Sequence, residues 1–131
     1  LALVLISYFF NEYYQNFKFL YFFISIVGHV FPIWLMFKGG KGVACFFGGF
    51  LIISPIPTLI SMAVWMVTVK ITKISSLGAL LSIFLLTSYQ IVSNYGTLNK
   101  GTIFAIMLLI FWKHNENIKR LIQGKENKIN L

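Results

Sequence analysis

Four long stretches of the chain carry no formal charge: Phe19–Phe37 (His29 counted neutral), Val43–Val69, Ile74–Asn99 and Gly101–Trp112. Most of them are near or above the ~20 residues that cross a bilayer as a helix. Only 11% of the residues are charged and 58% are hydrophobic, where a soluble domain carries about a quarter charged residues. The reading is an all-α, polytopic integral membrane bundle. A secretory signal peptide has one apolar core and does not account for four such runs.

Apolar segments are expected at roughly 1–10, 19–37, 43–54, 58–70, 74–93 and 101–113. Ser54-Pro55-Ile56-Pro57 divides the run after Gly42, because two nearby prolines remove backbone donors and disfavour helix just before them. A hairpin of two short helices is expected there, with one long kinked helix as the alternative. The hairpin puts Lys38, Lys41, Lys70, Lys73 and the tail residues Lys113, Lys119, Arg120, Lys125 and Lys128 at one end. Lys18 and Lys100 remain at the other. By the positive-inside rule the first end, with the C-terminus, is cytoplasmic. A single kinked helix would spoil that asymmetry.

The net charge of +8 is then explained by topology, so nucleic acid is not an expected partner. One cysteine, Cys45, excludes an intrachain disulfide and argues against a cysteine metal site. The sequence opens Leu-Ala-Leu-Val within an apolar segment, which suggests a piece of a longer protein. It is expected to be a single transmembrane domain, 1–131, lacking its N-terminal part.

Three polar clusters fall at the cytoplasmic end. Phe37-Lys38-Gly39-Gly40-Lys41-Gly42 is a glycine-rich basic turn ahead of an apolar run. Free backbone N–H groups, two lysines and a helix N-terminus at Val43 suit an anion such as phosphate. It is not a nucleotide-binding Walker turn, and a plain turn with lysines at lipid headgroups is the competing reading. Upstream, His29 sits in an apolar run and needs a polar partner, either through a hydrogen bond between helices or as a brace for the lysine loop. Pro32 is expected to kink its helix. The second cluster, Lys70 to Gly78, contains Ser75 and Ser76, which cap a helix or contact an anion. In the third, His114, Asn117 and Leu121 share a helical face with Arg120 nearby. That face suits a phosphorylated polar substrate, or else belongs to a basic tail on anionic lipid. The two histidines lack a third ligand nearby, so neither zinc nor another metal is expected.

Together these residues resemble the bacterial acyl-phosphate:glycerol-3-phosphate acyltransferase family. Gly28-His29-x-Phe31-Pro32-x-x-x-x-Phe37-Lys38-Gly39-Gly40-Lys41-Gly42-Val43-Ala44 is similar to its second signature motif. His114-x-x-Asn117-Ile118-x-Arg120-Leu121-x-x-Gly124-x-Glu126-x-Lys128 is similar to the third, and Ser75-Ser76-Leu77-Gly78 to a segment between them. The first motif would lie upstream of Leu1, so the chain alone is expected to be inactive. Cys45 stands where members commonly carry threonine.

The resemblance implies a seven-helix protein of the bacterial inner membrane with its active site on the cytoplasmic side. Its implied reaction moves a fatty acyl group from acyl phosphate to the 1-hydroxyl of glycerol 3-phosphate, giving lysophosphatidic acid without cofactor or metal. The implied roles put acyl phosphate on Lys41 and the Gly39, Gly40 and Gly42 N–H groups, with Lys38, His29, Ser75 and Ser76 as further binding residues. His114, Asn117 and Arg120 take glycerol 3-phosphate. The hydroxyl proton goes either to His114 or to the donor's own phosphate. Two other classes compete: a transporter or channel for a phosphorylated solute, and a non-catalytic membrane subunit. Neither has a need for the His-x-x-Asn-Ile-x-Arg-Leu tail.

Overall fold

The structure, a computed structural model, describes residues 17–36, 39–93 and 96–129. Within them the regular structure is entirely helical. The helices are α1 (Lys18–Val30), α2 (Val43–Ile53), α3 (Pro55–Thr72), α4 (Ser75–Ser93), α5 (Thr97–Lys113) and α6 (Asn115–Ile122), with a 3₁₀ turn at Ile33–Leu35. The segment expected at 1–10 lies outside the described residues. Three stretches, Lys18–Leu35, Pro55–Thr72 and Ser75–Ser93, are long and apolar enough to cross a membrane. This is the expected membrane helical bundle.

The expected break at Ser54 is present, but the prolines do not separate the helices. Pro55 opens α3, with Pro57 in its first turn. The first-turn N–H groups of a helix have no intrahelical partner, so proline costs least there. Ser54 ends α2 and precedes α3, with φ −152° and ψ 80°. The Gln90 amide of α4 donates to its hydroxyl.

The run Phe19–Phe37 is not one kinked helix. Helix α1 stops at Val30, two residues before Pro32. Proline disfavours helix at the residue before it, and Phe31 is non-helical at φ −125°, ψ 60°. At α5 the helix starts at Thr97 rather than 101. Lys100 bounded the uncharged run, but a lysine is a good helix former and does not end a helix.

Lipid tails are as apolar as leucine, so packing rather than hydrophobicity holds such helices together, and small residues allow close approach. The tightest approach is at Gly49, where an added Cβ would sit 2.1 Å from the Phe22 ring. Phe22, Phe46 and Phe50 interlock there, with ring centroids 4.8 Å apart for Phe46–Phe50 and 5.0 Å for Phe22–Phe50. Ile26, Ile83, Ile103, Ile106 and Ile110 pack into the same core. A second close approach, Gly78 against Trp65, joins α3 to α4. Polar bonds reinforce that pair: the Ser61 hydroxyl donates to the Ser82 carbonyl at 2.5 Å.

Successive helices reverse direction, so the ends of α1, α3 and α5 meet the starts of α2 and α4. This end carries Lys41, Lys70, Lys73, Lys113 and the tail, whereas Lys18 and Lys100 start α1 and α5 at the other. The tail is not a free basic strand. The Ile129 N–H donates to the Lys73 carbonyl at 2.8 Å, tying it to the α3–α4 turn.

Candidate active site

Where those helix ends meet, a cavity of about 470 Å³ opens. The loop before α2 contributes Lys41 and Val43, the α3–α4 hairpin Trp65, Ser75, Ser76 and Ala79, and the α5–α6 joint and tail His114, Asn117, Arg120, Glu126 and Asn127. Its wall is about half polar, unlike the apolar groove between Ile56, Ile60, Leu85 and Leu86.

Asn117 is the centre of the network. Its carbonyl oxygen accepts from Lys41 Nζ at 2.5 Å, across 76 residues of sequence. Its amide donates to Glu126 Oε1 at 2.5 Å. The same oxygen accepts from Ser76 Oγ at 2.7 Å, and Glu126 Oε2 accepts from Arg120 Nε at 2.7 Å. The Glu126 side chain is only 6% exposed. Burial opposes its ionisation, but hydrogen bonds from Asn117, Ser76 and Arg120, with the Arg120 charge, hold its pKa down at about 2. The site is thus a cationic rim braced by one buried anion.

His114 joins α5 to α6 and is 2% exposed. Its Nδ1 lies 2.8 Å from the Ile110 carbonyl oxygen. A carbonyl only accepts, so Nδ1 carries the proton and Nε2 of the neutral ring keeps its lone pair. Burial lowers the His114 pKa below its ordinary value. The hydrogen bond to Ile110 raises it, the Lys41 charge lowers it and Glu126 raises it, leaving a net depression.

Of the residues singled out in the sequence, Lys41, Ser75, Ser76, His114, Asn117 and Arg120 line one cavity. The separate seats expected for the two substrates therefore share a wall, through Lys41 and Asn117. Ser76 is engaged by Glu126, and Ser75 offers its carbonyl to Trp65 Nε1 at 3.4 Å. Lys38 lies outside the described residues. The three glycines and His29 are not in the lining, and packing explains each. Gly42 adopts φ +84° ahead of α2, a left-handed conformation that favours glycine. A Cβ on Gly39 would meet the His29 and Val30 carbonyls at 2.4 Å. One on Gly40 would lie 2.9 Å from His29 Nε2, so the exposed His29 stands beside the loop. Gly39→Ala should therefore displace the Lys41 loop. We expect at least ~10-fold lower activity of the full-length protein, with a lowered melting temperature in detergent; unchanged values of both would mean the loop accommodates the methyl.

Sequence reasoning assigned no role to Glu126 or Trp65. Glu126 had a signal: it is one of three acidic residues in the chain, placed in an otherwise basic tail. Trp65 had none, being one aromatic among many.

A family model described as glycerol-3-phosphate acyltransferase matches residues 1–124. A glycerol-3-phosphate acyltransferase of Ruthia magnifica subsp. Calyptogena magnifica is 43% identical over 107 residues, 82% of this chain and 54% of that protein. One from Ehrlichia chaffeensis is 38% identical over 118 residues, 89% of this chain and 60% of that protein. The chain spans about half the length of the curated relatives it matches. The fold resembles the crystal structure of PlsY (YgiH), an integral membrane glycerol 3-phosphate acyltransferase, in its glycerol 3-phosphate form, with a TM-score of 0.81 and 30% identity. That match covers 98% of this chain and 64% of the other. The lysophosphatidic acid form of the same enzyme matches at a TM-score of 0.80. The chain belongs to the glycerol-3-phosphate acyltransferase family.

Proposed function

We propose that the protein transfers a fatty acyl group from acyl phosphate to the 1-hydroxyl of glycerol 3-phosphate, at the cytoplasmic face of a bacterial inner membrane. The observation that carries this reading is the convergence of Lys41, His114, Asn117 and Arg120, from opposite parts of a family member, on one polar cavity. The concentration of positive charge at that end supports the orientation. The domain, 1–131, supplies part of the catalytic unit.

Acyl phosphate is a mixed anhydride with a good leaving group, so positioning and charge stabilisation suffice. Lys41 uses one N–H on Asn117 and has two more for phosphate oxygens. Its charge, with that of Arg120, offsets the negative charge that grows as the substrate hydroxyl attacks the acyl carbonyl. The new C–O ester bond forms, the carbonyl–phosphate bond breaks and inorganic phosphate leaves. The hydroxyl proton goes to His114 Nε2, whose lone pair and depressed pKa suit a base at neutral pH.

His114→Gln tests the base. Turnover should fall at least ~100-fold. The wild-type rate should also decline as the pH falls through the lowered His114 pKa, and the variant should lack that acid limb. Near-normal turnover would transfer the role to the donor's own phosphate. The function itself is tested in the reconstituted full-length protein with labelled glycerol 3-phosphate and acyl phosphate, acyl-CoA serving as control donor. No labelled lysophosphatidic acid would overturn it.

A further inference from the structure

The chain between α1 and the glycine turn has no place in the site, yet it is among the most exposed apolar segments. Ile33, Trp34, Leu35 and Met36 are 76%, 80%, 54% and 83% exposed. They lie past the end of α1 at Val30, at the last part of the apolar stretch Lys18–Leu35 and just beyond it. The loop is pinned at its base: Gly39 packs so closely on the end of α1 that an added Cβ would lie 2.6 Å from Pro32 Cδ. Ile33–Met36, exposed ahead of that anchor, therefore project from the bundle.

Three features identify what such a projection meets. First, its backbone is partly self-satisfied. The Leu35 and Met36 N–H groups donate to the Pro32 and Ile33 carbonyls, both at 3.1 Å, which lowers the cost of leaving water. Second, an aromatic and cationic stack flanks it. Phe31 and Trp112 lie 6.0 Å apart, and Lys113 Nζ sits 5.2 Å from the Phe31 ring and 5.8 Å from the Trp112 ring. Tryptophan beside lysine marks the headgroup boundary of a bilayer. Third, the cations at this end of the bundle suit anionic headgroups.

The geometry points to a shallow membrane wedge: Ile33–Met36 dips into the headgroup–acyl boundary of a phospholipid leaflet and sets the depth of the Lys41 loop. On the acyl-transfer reading, that depth matches the phosphate of a donor whose tail lies in the same leaflet.

The test of insertion needs no enzymatic activity. In the full-length protein, Trp65→Phe with Trp112→Phe leaves Trp34 as the reporter from this segment. In phosphatidylglycerol vesicles, Trp34 emission should be quenched more by lipids brominated near the headgroup end of the chain than near the methyl end. Iodide should quench it weakly. Strong iodide quenching without lipid quenching would place the turn in water and overturn the wedge. Protection from both would mean protein covers it, which overturns it equally. Should the double variant not fold, Trp34→Phe alone is compared with wild type, where loss of the shallow-quenched component is expected and an unchanged profile refutes insertion. A kinetic arm follows: Trp34→Glu should raise KM for a long-chain acyl phosphate about 10-fold and leave KM for glycerol 3-phosphate unchanged. Equal changes in both constants would deny the wedge a role in donor presentation.

Discussion

Lys41→Ala in the full-length protein is expected to cut acyl transfer at least ~100-fold, with the fold retained. Among the described residues its ammonium makes one hydrogen bond, to Asn117, and the residue is exposed toward the cavity, so little packing is lost on truncation. What disappears is a full positive charge where, on the proposed acyl-transfer reading, two phosphates approach each other. Turnover of labelled glycerol 3-phosphate measures the effect, and thermal unfolding in detergent separates it from misfolding. Lys41→Arg keeps the charge but replaces a compact ammonium with a planar fork, so partial activity is expected. Wild-type turnover for Lys41→Ala would reduce the glycine turn to a structural element and remove the basis of the phosphate site.

The largest stability effect is expected at Glu126. Its carboxylate accepts three hydrogen bonds, from Asn117, Ser76 and Arg120. Glu126→Ala strands two neutral donors and a guanidinium that is itself 40% exposed. Water relieves part of the loss at Arg120, so the cost should be about 2–4 kcal/mol. Activity should fall as well, since Asn117 loses the contact that orients it toward Lys41. The acid sensitivity has a definite sign. The folded pKa, about 2, lies below the ordinary 4.5. Glu126 therefore contributes its full stabilisation above about pH 4.5 and loses it as the pH falls toward 2. Melting temperatures measured between pH 5 and pH 3 should fall in the wild type, and the Glu126 contribution to that fall should vanish in Glu126→Gln. An identical pH dependence in both proteins would show that the carboxylate is not the brace.

The membrane character, the break at Ser54 and the crowding of charge at one end were all legible along the chain. Each depends on local properties: hydropathy over some twenty residues, a proline's missing N–H, lysines between apolar runs. The motif residues Lys41, His114, Asn117 and Arg120 were legible as candidates by their chemistry. The glycines were read as anion-binding N–H groups because glycine in a loop leaves backbone accessible. Their neighbours in space show another requirement, a Gly39 pressed on the end of α1 and a left-handed Gly42. Likewise Pro32 was expected to kink a helix that in fact ends before it.

By itself, the order of residues determined which segments enter lipid and which chemical groups gather at one end, because both follow from short-range hydropathy and charge. Only the packed helices decided the pairings at that end: Lys41 with Asn117, 76 residues on, and Ser76 with Glu126, 50 residues on. Hydrogen bonds act over about 3 Å, so a partner so distant along the chain is chosen by where the helices place it.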